Sequence, residues 1–253
     1  MSFDDLALAY DNSIDWDARL SREMPYLLSL LTKRGCVLDV ACGSGRHSLA
    51  FAEEGHTVTG IDASEAMVHF AKQLAKEREL EVDFRVVNML DIRETARNMF
   101  DLIICLGNSL ALLPSFDDLQ QVFSSISSLL DDDGSLVFQV LNFDEILSSR
   151  FTYFPLKGGT TLNGKGVIFG RFYEHHENKN YSTLVAASFL REGTNWSAQI
   201  STHKVLHLNE ARIRSLLDSA GFKEVTIYSD YQSREFSPSS DRNMVVRAGL
   251  PRS

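Results

Sequence analysis

At 253 residues and 44% hydrophobic content, the chain is long enough for one large α/β domain with an insertion, or for two small domains with a core each. Its 25 Lys+Arg against 34 Asp+Glu leave a net charge of −9, which disfavours phosphate backbones and anionic lipid surfaces, so neither nucleic acid nor membrane is an expected partner. Cys36, Cys42 and Cys105 lack metal-ligand spacing and read as free thiols of a reducing compartment; the acidic start Met1-Ser2-Phe3-Asp4-Asp5 and the lack of a membrane-length apolar run point to the cytoplasm.

In chain order, Leu20, Met24, Leu27, Leu28 and Leu31 recur every three or four residues, which predicts an amphipathic helix from about Asp15 to Thr32 within an N-terminal helical cap, residues 1–34. Cys36-Val37-Leu38-Asp39-Val40 is a short apolar strand that stops at Gly43-Ser44-Gly45, and Ser48 to Glu54 resumes helical character before Gly55. A second strand, Thr57 to Ile61, ends at Asp62, and Ser64 caps a helix to about Arg78. Strands at Val82 to Val87, Leu102 to Leu106 and Ser135 to Val140, with a helix at about Phe116 to Leu130, continue the alternation and predict a mostly parallel sheet covered on both faces. From about Thr152 the texture changes to hairpin-like runs such as Val167 to Tyr173 and Leu184 to Phe189, an antiparallel β insertion over 152–207. Helix returns at Asn209 to Ala220, followed by strands Lys223 to Tyr228 and Asn243 to Ala248. The expected fold is α/β: a Rossmann-like seven-stranded sheet, residues 35–151 and 208–253, whose last strand runs antiparallel because Asp230 to Arg242 is short and Ser/Pro-containing, where a parallel crossover is usually helical.

A glycine-rich turn between strand and helix admits a ligand close to the backbone, and an acid at the end of the next strand can grip both hydroxyls of a ribose; Gly43, Gly45 and Asp62 stand in those places. A dinucleotide fingerprint wants a third glycine three residues on, where this chain has Ser48. S-adenosylmethionine carries no phosphate, so Asp39-Val40-Ala41-Cys42-Gly43-Ser44-Gly45 suits it better than a nicotinamide cofactor.

The stretches Val37 to Gly45, Gly60-Ile61-Asp62-Ala63-Ser64-Glu65-Ala66-Met67, Asn88-Met89-Leu90 and Ile104-Cys105-Leu106-Gly107-Asn108-Ser109 resemble the glycine N-methyltransferase family, over about residues 10 to 147. The resemblance implies a class I methyltransferase with an antiparallel insertion near its active site. It implies that the Ala41 carbonyl and Gly43 border the methionine moiety, with Cys42 in the same turn. Asp62 would hold the ribose beside Ala63, Met67 would pack on the adenine, and Asn88 would bond the adenine amino group. Met89 stands where the family often has tryptophan, with Leu90 next to it; Leu106 would line the cofactor pocket, and Tyr10 and Arg19 would close over the methionine end. Asn108 would face the acceptor, with Leu141, Asn142 and Tyr173 around it. In the family an arginine that clamps the carboxylate of glycine precedes Asn-Tyr-Asp; here the run is Leu141-Asn142-Phe143-Asp144, so glycine itself is not the expected substrate.

Methyl transfer from a sulfonium needs orientation and a water-poor pocket more than a dedicated acid or base, so no catalytic residue is assigned. A hydroxyl acceptor would benefit from a base, and His175, His176, His203 and His207 lie in the insertion, though each reads first as structural. His47 reads as a helix-surface residue and Asp131-Asp132-Asp133-Gly134 as a solvated turn, not a metal site. The expected function is methylation, at nitrogen or oxygen, of a small-molecule acceptor; the alternative is a non-catalytic S-adenosylmethionine or nucleoside binder.

Overall fold

Asp15 caps α1 (Trp16–Ser29) by accepting the Ala18 N–H at 3.0 Å, and the helix then buries Met24 and Leu27. The computed structural model describes residues 11, 13–95, 99–160 and 164–251. The alternation read from the sequence appears as β1 (Cys36–Val40), α2 (Arg46–Glu53), β2 (Thr57–Asp62), α3 (Glu65–Glu77), β3 (Asp83–Val86), β4 (Phe100–Cys105), α4 (Phe116–Ser127) and β5 (Leu130–Leu141). A six-residue helix not read from the sequence, α5 (Phe143–Ser148), follows β5. Then come the insertion strands β6 (Lys157–Thr160), β7 (Gly166–His175), β8 (Tyr181–Glu192) and β9 (Asn195–Leu206), and finally α6 (Glu210–Ser219), β10 (Glu224–Tyr228) and β11 (Asn243–Gly249).

The larger sheet has the order β10-β11-β5-β4-β1-β2-β3, with β11 antiparallel to both neighbours and the other pairs parallel. The chain winds outward from β1 to β3 and restarts on the other side of β1 at β4, so a crevice opens beyond the carboxyl ends of β1 and β4. Fully buried Leu38, Val40, Ile103, Leu136 and Phe138 form the middle of the core. The acidic run Asp131 to Gly134 is a bulge inside β5: Phe100 pairs with Leu130 and Leu102 with Ser135, leaving the three aspartates exposed.

The insertion forms a second sheet, β6-β7-β8-β9, antiparallel throughout. Its β7 alternates: Val167, Phe169 and Tyr173 are buried on one face, while Phe172 and Glu174 are exposed on the other. Tyr173, Val205 and Leu206 belong to the same core cluster as the large sheet, which fixes the inner face of the insertion over the carboxyl end of β5.

Candidate functional site

The turn after β1 is left-handed at three positions, Ala41 (φ 57°), Gly43 (φ 55°) and Gly45 (φ 74°). Two glycines near it serve packing: a Cβ on Gly45 would stand 2.5 Å from the Phe84 ring, and one on Gly60 would stand 2.6 Å from it. Gly43 differs, because a Cβ there would meet nothing within 4 Å, so the backbone at this residue faces open space. The Cys42 N–H donates to the Ile61 carbonyl at 2.9 Å and the Gly43 N–H to Asp62 Oδ2 at 2.9 Å, which lashes the turn to the end of β2. Burial pushes the Cys42 thiol well up, so it is not a nucleophile at neutral pH. Beneath the turn, buried Asp39 accepts Ser48 Oγ–H at 2.7 Å; burial, ahead of the opposing His47 charge, raises its pKa. Ser48, at the place of the third dinucleotide glycine, thus ties α2 to β1 by its side chain.

Asp62 Oδ1 accepts the Ser64 N–H at 2.9 Å, so each carboxylate oxygen has one backbone donor and retains a lone pair for a ligand hydroxyl. Ala63 is exposed beside it, and Met67, in the first turn of α3, is half-buried. Just past β3, on the same side of the crevice as Asp62, exposed Asn88 accepts the Leu90 N–H at 3.0 Å, while Met89 and Leu90 pack against the core. Leu106 is buried at the end of β4. These residues fit a nucleoside: a carboxylate for the ribose hydroxyls, an amide for a base edge, and apolar side chains for its faces.

Tyr10 lies outside the described residues. Arg19 reaches the site from α1: its Nε donates to both Glu23 oxygens, at 3.1 and 3.2 Å, and its terminal nitrogen comes within 3.8 Å of where a Cβ on Gly107 would stand. Glu23 also meets His47 Nε2 at 2.9 Å and Arg22 at 3.0 Å. Burial alone would raise the Glu23 carboxyl, but the His47 hydrogen bond and the Arg19 charge hold it down at about 2. His47 is therefore not a surface residue: it is only 6% exposed, because the buried carboxylate of α1 and the edge of Trp16, at 5.8 Å, close over it. Nearby, Asp11 accepts Ser44 Oγ–H at 2.6 Å, which ties the segment before α1 to the glycine turn. The sequence reading missed Glu23 and Asp11; the signal for Glu23 was an acid four residues after Arg19 on the helix, beside the apolar stripe.

Among the residues expected to face the acceptor, Asn108 is left-handed (φ 69°), takes Leu141 N–H on its side-chain oxygen at 2.9 Å, and has its amide hydrogens left for another partner. Half-buried Leu141 ends β5. Asn142 does not fit the acceptor role: it is 0% exposed, its Nδ2 donates to the Pro238 and Asp241 carbonyls at 2.8 and 2.9 Å, and its Oδ1 caps α5 through Asp144 N–H. The sequence pattern is the same for a ligand contact and a helix cap, and here the cap prevails. Tyr173 is buried against Phe143 and Phe154, with centroids 5.5 and 5.4 Å apart, and burial pushes its hydroxyl up to about 12.

The insertion's histidines have structural partners. His175 Nε2–H donates to the Phe151 carbonyl at 2.8 Å, so in the neutral ring Nδ1 accepts from Ser182 Oγ at 2.8 Å; Ser182 in turn accepts from His207 Nε2 at 2.8 Å. Burial first, then the nearby His175, lowers His207 to about 4, and its ring stacks on Phe143 at 4.5 Å. His176 meets Thr183 at 2.8 Å, and His203 meets Ser201 at 3.2 Å. Among the described residues no group of His, Cys, Asp or Glu has the arrangement of a metal site.

A family model for a methyltransferase domain matches residues 37–134. The chain is 30% identical over 247 residues to the glycine/sarcosine N-methyltransferase of Parasynechococcus marenigrum (strain WH8102), covering 92% of this chain and 79% of that protein. It is 37% identical over 150 residues to the glycine N-methyltransferase of Homo sapiens, covering 53% of this chain and 51% of that one. An S-adenosylmethionine-dependent methyltransferase from Clostridium acetobutylicum ATCC 824 has the same fold, with a TM-score of 0.78 at 16% identity over 94% of this chain and 92% of that one. Fold, turn and relatives agree: the chain belongs to the class I S-adenosylmethionine-dependent methyltransferases, related to the glycine/sarcosine N-methyltransferases, and methylates a small-molecule acceptor.

Proposed function

We propose that the acceptor atom is an amine nitrogen, and that the acceptor sits between Asn108, Leu141 and the inner face of the insertion, which acts as a lid. The observation that carries this reading is the commitment of His175, His176, His203 and His207 to serine, threonine or carbonyl partners. A hydroxyl acceptor benefits from a nearby base, whereas a neutral amine attacks with its own lone pair. The relatives named as N-methyltransferases point the same way.

In this reading Asp62 holds the ribose, Met67, Met89 and Leu90 flank the adenine, and Asn88 reads its edge. Ala41, Cys42, Gly43 and Leu106 border the methionine moiety, and Arg19, held by Glu23, pairs with its carboxylate. When bound, S-adenosylmethionine supplies a sulfonium methyl group that a neutral amine takes by in-line displacement, leaving a neutral thioether and a proton for water. The protein's part is to align the nitrogen through Asn108 and to exclude water with Leu141, Phe143 and Tyr173. The free thiols of Cys36, Cys42 and Cys105 support a reducing, cytoplasmic setting. Among the described residues no helix is long and apolar enough to cross a membrane.

The test has two parts. S-adenosylhomocysteine should raise the melting temperature and NAD should not, by ligand linkage. Incubation with S-adenosylmethionine and a panel of small amines and alcohols should then yield N-methyl products by mass spectrometry. Methylation confined to the alcohols would refute the amine assignment.

A further inference from the structure

Glu23 is a charged residue among the buried positions of α1, next to Met24 and Leu27. Carboxylates are seldom buried unless they are paired. The partners here are Arg19 and Arg22 of the same helix and His47 of α2. Burial works against the charge, yet the His47 hydrogen bond and the Arg19 charge keep the Glu23 carboxyl at about 2, so it is ionised at neutral pH.

The way Arg19 is held decides which of its donors are left. Both Glu23 oxygens accept from Nε, and the guanidinium lies over the Trp16 ring at 4.9 Å. The terminal nitrogens have no hydrogen-bond partner among the described residues, and one of them stands 3.8 Å from the Cβ position of Gly107, at the end of β4. A planar fork of that kind suits a carboxylate. Exposure divides the roles: the Glu23 and His47 side chains, at 5% and 7%, are closed to a ligand in the crevice, whereas Arg19, at 21%, is open to it. His47 lies in the first turn of α2, directly after the glycine turn, so the Glu23–His47 contact refers Arg19 to that turn.

We propose that Glu23 is a positioning residue for the amino-acid end of the cofactor: without touching the ligand, it orients the Arg19 fork and, through His47, sets its place relative to the glycine turn. This rests on Arg19 pairing with the methionine carboxylate. The sign of the effect separates positioning from charge. Glu23 is an anion on the same side as that carboxylate, so repulsion alone would make its removal tighten binding, whereas loss of a pre-arranged fork weakens it.

The experiment measures, by calorimetry, the affinities for S-adenosylhomocysteine and for 5′-methylthioadenosine, which keeps the nucleoside but has neither amine nor carboxylate. Arg19→Met and Glu23→Ala should each weaken S-adenosylhomocysteine about tenfold or more, and the double variant should be at most about threefold weaker than the worse single, as expected of two residues that act as one. Glu23→Gln, which keeps an acceptor for Nε, should recover part of the loss, and 5′-methylthioadenosine should stay within about twofold throughout. Unchanged or tighter S-adenosylhomocysteine binding by Glu23→Ala would overturn the proposal, as would additive losses. Equal losses for both ligands would also overturn it, reducing Glu23 to an anchor for α1. Should Glu23→Ala fail to fold, Glu23→Gln takes its place in the cycle and should weaken S-adenosylhomocysteine alone, without adding to Arg19→Met; full affinity in Glu23→Gln would then overturn the proposal. Full affinity in Arg19→Met is a different failure: it refutes the pairing of Arg19 with the carboxylate, and the role of Glu23 falls with it.

Discussion

On one side of the proposed site, from β1 to α3, the groups that would meet a ligand are mostly backbone, held by three left-handed residues and one carboxylate. On the other, under the insertion, they are side chains on a regular antiparallel sheet, where a single substitution changes the chemistry without disturbing the ladder. The first region can be rebuilt only by changing the chain's path, the second by changing one residue. A shared cofactor with divergent acceptors is what that difference permits, and the Leu141 position, which carries no cation here, is an instance of it.

The sharpest way to break the comparison is Asp62→Ala. The carboxylate ties Gly43 and Ser64 and, in the proposed site, the ribose, with two charge-assisted hydrogen bonds to the ligand worth about 1.5–3 kcal/mol each. The dissociation constant for S-adenosylhomocysteine should rise about 100-fold or more. Binding within threefold of wild type, by calorimetry, would remove Asp62 from the cofactor site.

The two regions should also separate by pH. His207, between Ser182 and Phe143, titrates at about 4 when folded, below its unfolded value. As pH falls the unfolded chain therefore takes up this proton first: the stability contribution is complete above about 6.5 and is lost on going down to 4. Glu23, folded at about 2 against 4.5, contributes fully above 4.5 and loses that contribution as pH falls toward 2. Each step is on the order of 3 kcal/mol. Urea midpoints from pH 7 to 3 should fall in two stages, and His207→Asn should flatten the upper one alone; an unchanged upper stage would discard the His207 assignment.

Within the turn, two glycines of similar φ should give opposite readouts. Gly45→Ala drives a methyl to 2.5 Å from the Phe84 ring and should cost about 1–3 kcal/mol of stability. Gly43→Ala meets no protein atom and should cost only the left-handed strain, roughly 1 kcal/mol, while weakening S-adenosylhomocysteine more than Gly45→Ala does. Equal effects on binding would show that Gly43 does not face the ligand.

The strand-turn-helix alternation was legible because apolar periodicity and glycine punctuation are local signals; β1 came out as read, and the reversed β11 followed from its short, Ser/Pro-containing linker. The left-handed turn and its tie to Asp62 were legible because glycine spacing and an acid at a strand end are local signals. What escaped was set by distant partners. Asn142 looks like a site residue until Pro238 and Asp241, nearly a hundred residues on, claim its amide. His47 looks exposed until Glu23 covers it.

The smallest effect on cofactor affinity is expected at Ser48, where the comparison reaches the difference between cofactor classes. A dinucleotide fold uses a glycine at this place to bring the helix against the strand, whereas here the side chain joins α2 to Asp39 by a 2.7 Å hydrogen bond with both partners buried. Ser48→Ala removes that donor and leaves a buried carboxyl oxygen without it, at a cost of about 1–2 kcal/mol. The melting temperature should drop by roughly 3–6 °C for a chain of this length. Because Ser48 lies beneath the turn and Gly43 faces open space above it, the affinity for S-adenosylhomocysteine should stay within about threefold, a change of well under 1 kcal/mol. Ser48→Gly should behave alike with a further loss of about 1 kcal/mol from the helix, and should gain no response to NAD, because the missing pyrophosphate cradle is a matter of the whole turn and not of one glycine. A thermal shift of Ser48→Gly on adding NAD would mean that the cofactor class rests on this single side chain.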